Sequence, residues 1–166
     1  MTMPPQADPA ARAWQILEAI PDPEIPVLSI VDLGIVRELH WDGRQLQVAI
    51  TPTYSGCPAA ELIHKQVEHA LAAAGFDGAL VSEVLSPAWT TDWISEEGRE
   101  KLRQYGIAPP ELGSGRRALF GSELAVHCPR CASQRTNCVS EFGSTPCKAQ
   151  YRCLDCLEPF DYFKCL

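Results

Sequence analysis

The sequence lacks the features of a membrane-spanning or exported protein. No stretch of its 166 residues approaches the roughly 18 consecutive apolar residues that a transmembrane helix needs. The first 15 residues contain neither the basic start nor the apolar core of a secretory signal. The apolar fraction of 46% and the charged fraction of 21% are typical of a folded globular protein. We therefore expect a cytoplasmic protein with no membrane partner.

Positive charge is also scarce, and several common catalytic motifs are missing. Fourteen lysines and arginines stand against 21 acidic residues, and the resulting net charge of −7 argues against a nucleic-acid partner. The sequence contains no Ser-His-Asp grouping, phosphate-binding loop or dinucleotide fingerprint. These absences exclude nucleic-acid binders and several large enzyme classes.

Cysteines, by contrast, are concentrated near the end of the chain, where seven of the eight follow residue 127. Four of them form two Cys-x-x-Cys pairs, Cys128 with Cys131 and Cys153 with Cys156. Two such turns can direct four thiolates at one ion, so this spacing predicts a structural Zn²⁺ in a ribbon. The alternatives are an iron centre, mononuclear or 2Fe–2S, which four thiolates also suit, and four unligated thiols.

The other late cysteines have a simpler interpretation. Cys138 lies in a polar stretch and is expected to have no role. Cys147 and Cys165 flank aromatic, strand-like sequence, so both are predicted to be small buried hydrophobic residues. They are the reserve ligands if the metal is not zinc.

The front of the chain predicts a small α+β domain. Asp8 and Pro9 are typical of a helix start, and Asp42-Gly43 is typical of a tight turn between two strands. A mixed three-stranded sheet with covering helices accommodates the whole pattern. The expected strands are 35–41, 46–50 and 80–85, with helices from residue 8 to 20, over 58–75 and over 95–104. The expected domains are 1–105, a linker over 106–122 and the zinc ribbon over 123–166.

One cysteine, Cys57, lies in this first domain and directly precedes Pro58. Because proline is favoured as the first residue of a helix, we expect the Cys57 side chain at the helix N-cap. The helix dipole there would lower the thiol pKa below its usual value of about 8.5. A half-buried cysteine with a purely structural role is the alternative.

Two acidic residues, Asp22 and Glu24, lie in a stiff loop between prolines. This loop could present both carboxylates near Cys57. The alternative is that they only cap or turn the chain.

Three motifs resemble a known domain. Asp22-Pro23-Glu24-Ile25-Pro26, Asp32-Leu33-Gly34-Ile35-Val36 and the segment from Thr51 to Pro58 are similar, in order, to motifs of iron–sulfur assembly and SUF-type accessory factors. That resemblance covers about residues 10–105. The cysteine-rich tail resembles one branch of this family, the PaaD family of phenylacetate degradation.

The resemblance implies an accessory factor for the phenylacetyl-CoA epoxidase that is not itself an enzyme. Its implied task is to help install iron–sulfur clusters, above all in the reductase subunit, or iron in the oxygenase. Cys57 matches the family's reactive or cluster-contacting cysteine, and Asp22 and Glu24 match its acidic motif. Because one cysteine cannot hold a 2Fe–2S cluster alone, a transient cluster would need a second copy of the chain, glutathione or the client protein.

Two other functions remain open from the residues. A scaffold subunit of the oxygenase would use exposed aromatic anchors on the ribbon, namely Tyr151, Phe160, Tyr162 and Phe163. A redox enzyme that cycles Cys57 or the Cys-x-x-Cys pairs through disulfides is the weaker idea. Thiolates bound to zinc are not free to exchange, and Cys57 has no resolving cysteine near it in sequence.

Overall fold

The computed structural model describes residues 8–114 and 125–164. The chain divides into two compact units, Met1–Trp89 and Thr90–Leu166. Within the described residues, no helix has both the length and the apolar character needed to cross a bilayer.

The first unit is a three-stranded mixed sheet with two helices. Its elements are α1 (Pro9–Glu18), β1 (Val36–Trp41), β2 (Leu46–Ile50), α2 (Ala59–Ala73) and β3 (Leu80–Glu83). The strand order is β1-β2-β3, with β1 antiparallel and β3 parallel to β2. Because parallel neighbours need a crossover, α2 connects β2 to β3. This architecture confirms the predicted α+β fold.

Local sequence signals explain where these elements begin and end. The Asp8 carboxylate accepts a hydrogen bond from the Ala10 amide at 3.1 Å, and Pro9 occupies the first position of α1, as predicted. α2 buries Ile63, Val67 and Leu71 on one face. A bulge between Val36 and Glu38 interrupts the regular alternation that the sequence predicted for β1.

The second unit contains the ribbon. After a 3-10 turn at Thr91–Trp93 come α3 (Glu96–Tyr105), β4 (Ile107–Ala108), β5 (Thr136–Ser140), β6 (Lys148–Cys153) and β7 (Pro159–Phe163). The strands form one sheet in the order β4-β7-β6-β5. Its core consists of small and aromatic residues together with two of the paired cysteines: Ala108, Val126, Cys128, Ala149, Cys153, Phe160 and Tyr162.

The expected boundary after residue 105 differs from the structure, which places the division between Trp89 and Thr90. The linker prediction is wrong for Ile107 and Ala108, which are buried and pair in parallel with Asp161 and Tyr162 of β7. Gly106 ends α3 with φ +91°, so the chain turns directly from the helix into this strand. The rest of the expected linker from residue 115, and Cys165, lie outside the described residues.

Buried leucine on α2 is expected to hold the first unit together. Leu71 is 0% exposed, whereas Leu62 on the same helix is 47% exposed. Leu71→Ala should lower the free energy of unfolding by about 2–5 kcal/mol, because it leaves a cavity in the core. The matched variant Leu62→Ala should change it by less than about 0.5 kcal/mol. Urea denaturation of the two full-length variants tests this, and equal losses would contradict the packing described.

Candidate metal centre and thiol site

The structure brings the four paired cysteines together. The sulfur atoms of Cys128, Cys131, Cys153 and Cys156 all lie within 4.8 Å of one another. Cys128 and Cys156 are 3.7 Å apart at sulfur, and Cys131 and Cys153 are 3.5 Å apart. A disulfide would need about 2.05 Å. Four sulfurs about 2.3 Å from a tetrahedral ion lie about 3.8 Å from one another, so the arrangement fits one metal ion.

The two Cys-x-x-Cys turns have the same backbone closure. The amide of the first cysteine in each turn donates to the carbonyl five residues later, Cys128 to Ser133 at 2.9 Å and Cys153 to Glu158 at 3.0 Å. In each turn the first cysteine is buried and the second is exposed. The centre therefore lies at the edge of the ribbon core, with two sulfurs inside and two at the surface.

Hydrogen bonds to sulfur favour the thiolate form at one ligand. The amides of Cys156 and Asp155 donate to the Cys153 sulfur at 3.5 and 3.4 Å. The bond from the Cys156 amide, with smaller contributions from the Asp155 amide and the neighbouring sulfurs, lowers the pKa of the Cys153 thiol to about 6, against the desolvation that raises it. A thiol that ionises readily is a better metal ligand.

The side chain of Asp155 ties the two turns to each other. Its carboxylate accepts from the Ser133 hydroxyl and pairs with the Arg135 guanidinium at 2.8 Å. The Leu154 amide also donates to the Arg135 carbonyl at 2.8 Å. These contacts hold the second turn against the first and orient the cysteines that both carry.

The other described late cysteines lie apart from this centre. Cys138 is exposed on β5. Cys147 is buried, as predicted, with its sulfur 3.1 Å from the Thr145 hydroxyl.

In the first unit, Cys57 lies at the N-terminal end of α2, as predicted. Pro58, the residue after it, has φ −66° and ψ −22°, which are helical values, and the proline ring fixes φ. The Cys57 carbonyl accepts from the Ala60 amide at 3.1 Å, so the first turn of the helix begins at this residue. The half-buried thiol therefore lies beside the first turn of α2.

Asp22 organises the proline loop from within. One oxygen of its buried carboxylate accepts from the amides of Glu24 and Ile25 at 2.9 and 2.8 Å. Its own amide donates to the Leu28 carbonyl at 2.8 Å. Burial raises the pKa of the Asp22 carboxyl, although the two amide bonds lower it. Asp22 therefore holds the loop in shape, and its own carboxyl is a buried acid with a raised pKa.

Asp22, Glu24 and Cys57 line one cavity of about 20 Å³, which has room for about one water-sized group. The structure therefore brings together the three residues that the sequence singled out, and their chemical role stays a prediction. Thr51 and Glu83 line the same cavity. Sequence reasoning missed Glu83, whose signal was its place at the end of β3, beside Ile50 at the end of the parallel strand β2.

A second, more open cavity of about 380 Å³ adjoins Cys57 on the side of His64 and Glu83. His64 is half-buried, with its Nε2 atom 3.2 Å from the Val81 carbonyl. Glu83 and Cys57 border both cavities. The thiol is therefore reachable from outside as well as from the small acidic cavity.

Two family models match this chain. Residues 10–84 match the model described as iron–sulfur cluster assembly protein. Residues 113–164 match the model described as PaaD zinc beta ribbon domain. The first match covers the loop of Asp22 and the Cys57 cavity, and the second covers all four clustered cysteines.

Similar proteins point in the same direction. The chain is 52% identical over 98% of its length, and 95% of the relative's, to a protein of Escherichia coli (strain K12) that is named as a subunit of 1,2-phenylacetyl-CoA epoxidase. It is 38% identical to the Fe-S protein maturation auxiliary factor YitW of Bacillus subtilis (strain 168), over 52% of this chain and 85% of that one. A crystal structure of a domain of unknown function (DUF59) from Bacillus anthracis is 28% identical with a TM-score of 0.53, over 56% and 90% of the chains.

The charge of Asp22 can be separated from its role in the loop. Asp22→Asn keeps an oxygen that accepts from the Glu24 and Ile25 amides but removes the ionisable acid. Because the pKa of Asp22 is raised in the folded state, its stabilising contribution is present at low pH and is lost as pH rises through the folded value. The Asp22→Asn variant should therefore gain stability relative to the parent protein as pH rises.

Asp42→Asn is the matched control. Asp42 accepts in the same way from the Arg44 and Gln45 amides but is exposed, and the Gln45 and Arg44 bonds lower its pKa. This variant should lose stability relative to the parent as pH rises. Urea denaturation between about pH 2.5 and pH 8 measures both differences, because the Asp42 difference develops mostly below pH 4, and slopes of the same sign would contradict the assignment.

Proposed function

We propose, for a chain that belongs to the PaaD family of 1,2-phenylacetyl-CoA epoxidase proteins, a role in supplying that epoxidase with its iron. The protein acts as an accessory factor in the cytoplasm and is not itself a catalytic subunit. It helps to install an iron–sulfur cluster, or iron, in another subunit. The match to the iron–sulfur cluster assembly model and the maturation role in the name of the Bacillus subtilis relative support this direction.

The observation that carries the proposal is the cavity shared by Cys57, Asp22, Glu24 and Glu83. It presents one thiol beside carboxylates, and iron accepts both sulfur and oxygen ligands. The thiol is half-buried and borders a second, open cavity, so a client can approach it from outside. Iron or a cluster is cargo at this site and not a permanent component.

A single cysteine sets the manner of transfer. Iron–sulfur clusters are normally held by four cysteines, and Cys57 supplies one of these four ligands. The remaining ligands come from the client, from glutathione or from a second copy of this chain. Such incomplete ligation favours passage to a client over storage. We place the reductase subunit first among the clients.

In the ribbon we propose a zinc ion held by Cys128, Cys131, Cys153 and Cys156. Four thiolates close a tetrahedral sphere and leave no position for water, which is typical of a structural ion. When bound, zinc supplies charge neutralisation and cross-linking of the two turns, without redox chemistry. The sulfur separations of 3.5 and 3.7 Å support this fit.

The scaffold alternative has lost much of its support. It required exposed aromatic anchors on the ribbon, but Phe160, Tyr162 and Phe163 are buried. Tyr151 is half-buried and stacks on Phe160 with the ring centroids 6.0 Å apart. These rings stabilise the ribbon from within, so they are not available as the docking anchors that this alternative named.

Zinc content tests the ribbon site. Protein prepared without oxygen should be colourless and contain one zinc ion per chain by elemental analysis. Cys153→Ser should lose nearly all of it and unfold the ribbon, because three thiolates leave the site open. The exposed Cys138→Ser variant should keep the full zinc content. A brown, iron-loaded protein would instead identify an iron centre.

Cluster content of the reductase tests the thiol site. In cells that depend on this protein, Cys57→Ser should remove most of the iron and sulfide bound to the reductase, and with it the epoxidase activity. Its thermal unfolding should match that of the parent, which separates loss of the thiol from loss of the fold. Cys138→Ser should leave reductase and activity unchanged. Intact reductase clusters together with full epoxidase activity in the Cys57→Ser variant would disprove the proposed role.

A further inference from the structure

Two residues beside the cysteine cluster have a backbone conformation that their side chains disfavour. Ala132 has φ +60° and Leu157 has φ +64°, and they are the non-glycine residues with positive φ in the described ranges. An L-residue in this left-handed region brings its Cβ too close to the following carbonyl oxygen. A branched, bulky side chain such as leucine is particularly rare there.

Their positions in the two turns are equivalent. Ala132 follows Cys131 and Leu157 follows Cys156, so each lies four residues after the first cysteine of its turn. The next carbonyl in each case, of Ser133 or of Glu158, accepts the amide of that first cysteine. The left-handed residue therefore reverses the chain at the point where the loop closes around the sulfur atoms.

Side-chain packing does not account for the conformation. Leu157 is 59% exposed, and Ala132 is exposed as well. Each residue has one hydrogen bond from or to its backbone: the Ala132 amide donates to the Cys128 carbonyl at 2.8 Å, and the Leu157 carbonyl accepts from the Arg152 side chain (Nε) at 3.4 Å. The conformation is thus imposed by the geometry that aims the second cysteine of each turn at the centre.

We propose that Ala132 and Leu157 are positioning residues that set the affinity of the ribbon for its metal ion. Their strained left-handed backbone makes this affinity lower than the same four cysteines would give in unstrained turns. The inference rests on the proposed metal site. Metal binding and closure of the turns are coupled, so strain in the closed turns is subtracted from the binding free energy. A residue that tolerates positive φ should tighten binding without any new contact to the ion.

A graded series at Leu157 tests this in the full-length protein. Glycine is freely left-handed, asparagine tolerates the region and valine does not. Zinc affinity, measured by competition with a chelator of known affinity, should follow the order Leu157→Gly, Leu157→Asn, parent, Leu157→Val. Leu157→Gly should bind about fivefold more tightly than the parent. Ala132→Gly should give a similar gain, and the double variant should combine the two.

Leu154→Gly is the matched control, since it removes the same side chain from the same turn at a residue without positive φ. It should weaken zinc binding, because glycine there only adds freedom to the unbound chain. Cobalt spectra of all variants should keep the tetrahedral thiolate bands, which shows that the ligand set is unchanged. A general effect of glycine on the turn would change zinc affinity in the same direction for Leu157→Gly and Leu154→Gly, so opposite changes identify relief of the left-handed strain.

The outcomes separate this inference from the proposed function. If Leu157→Gly binds zinc no more tightly than the parent, or shifts in the same direction as Leu154→Gly, the positioning role is wrong while the zinc site stands. If the parent protein binds no zinc, the proposed site fails, and the inference fails with it.

Discussion

Four sulfur atoms within 4.8 Å of one another are the constraint on which the second unit depends. Thiolates so close repel each other, and a divalent ion at the centre would attract all four strongly enough to outweigh that repulsion. Cys128 and Cys153 also belong to the small hydrophobic core, together with residues such as Phe160 and Tyr162. A core of this size stabilises a short chain only weakly. Metal ligation and apolar burial therefore act through the same residues, and losing one weakens the other.

The first unit depends on a different arrangement, the parallel pairing of β2 and β3. Parallel strands end at the same edge of a sheet, so Ile50 and Glu83 lie side by side. The segment after β2 leads past Thr51 to Cys57 at the start of α2, and the loop held by Asp22 reaches the same cavity. The hydrogen bonds of the buried Asp22 carboxylate make that loop rigid. A thiol, carboxylates and a hydroxyl thus meet around a space of about one water-sized group.

The two proposed sites differ in how many of a metal ion's ligands they supply. The ribbon supplies four thiolates and leaves no vacant position, which suits an ion that stays in place. The Cys57 cavity supplies one thiol and oxygen atoms, which suits cargo that must leave. Strain at Ala132 and Leu157 lowers the affinity of the first site without altering its ligands. In these proposals, ligand number separates retention at the ribbon from release at Cys57, and backbone geometry only adjusts the affinity of the ribbon.

The sequence by itself determined the features that depend on neighbours along the chain. The cap of Asp8 and Pro9, the Cys-x-x-Cys spacing and the order of strands and helices are local patterns, and the mixed sheet follows from them. Only the tertiary structure decided that Glu83 joins the Cys57 cavity, and that Ile107 and Ala108 form a strand instead of a linker. Those outcomes depend on contacts between residues far apart in sequence, which propensity and spacing do not encode. The positive φ of Leu157 was also decided only by the structure, because closure of its own turn, where the Cys153 amide donates to the Glu158 carbonyl, requires a conformation that leucine disfavours.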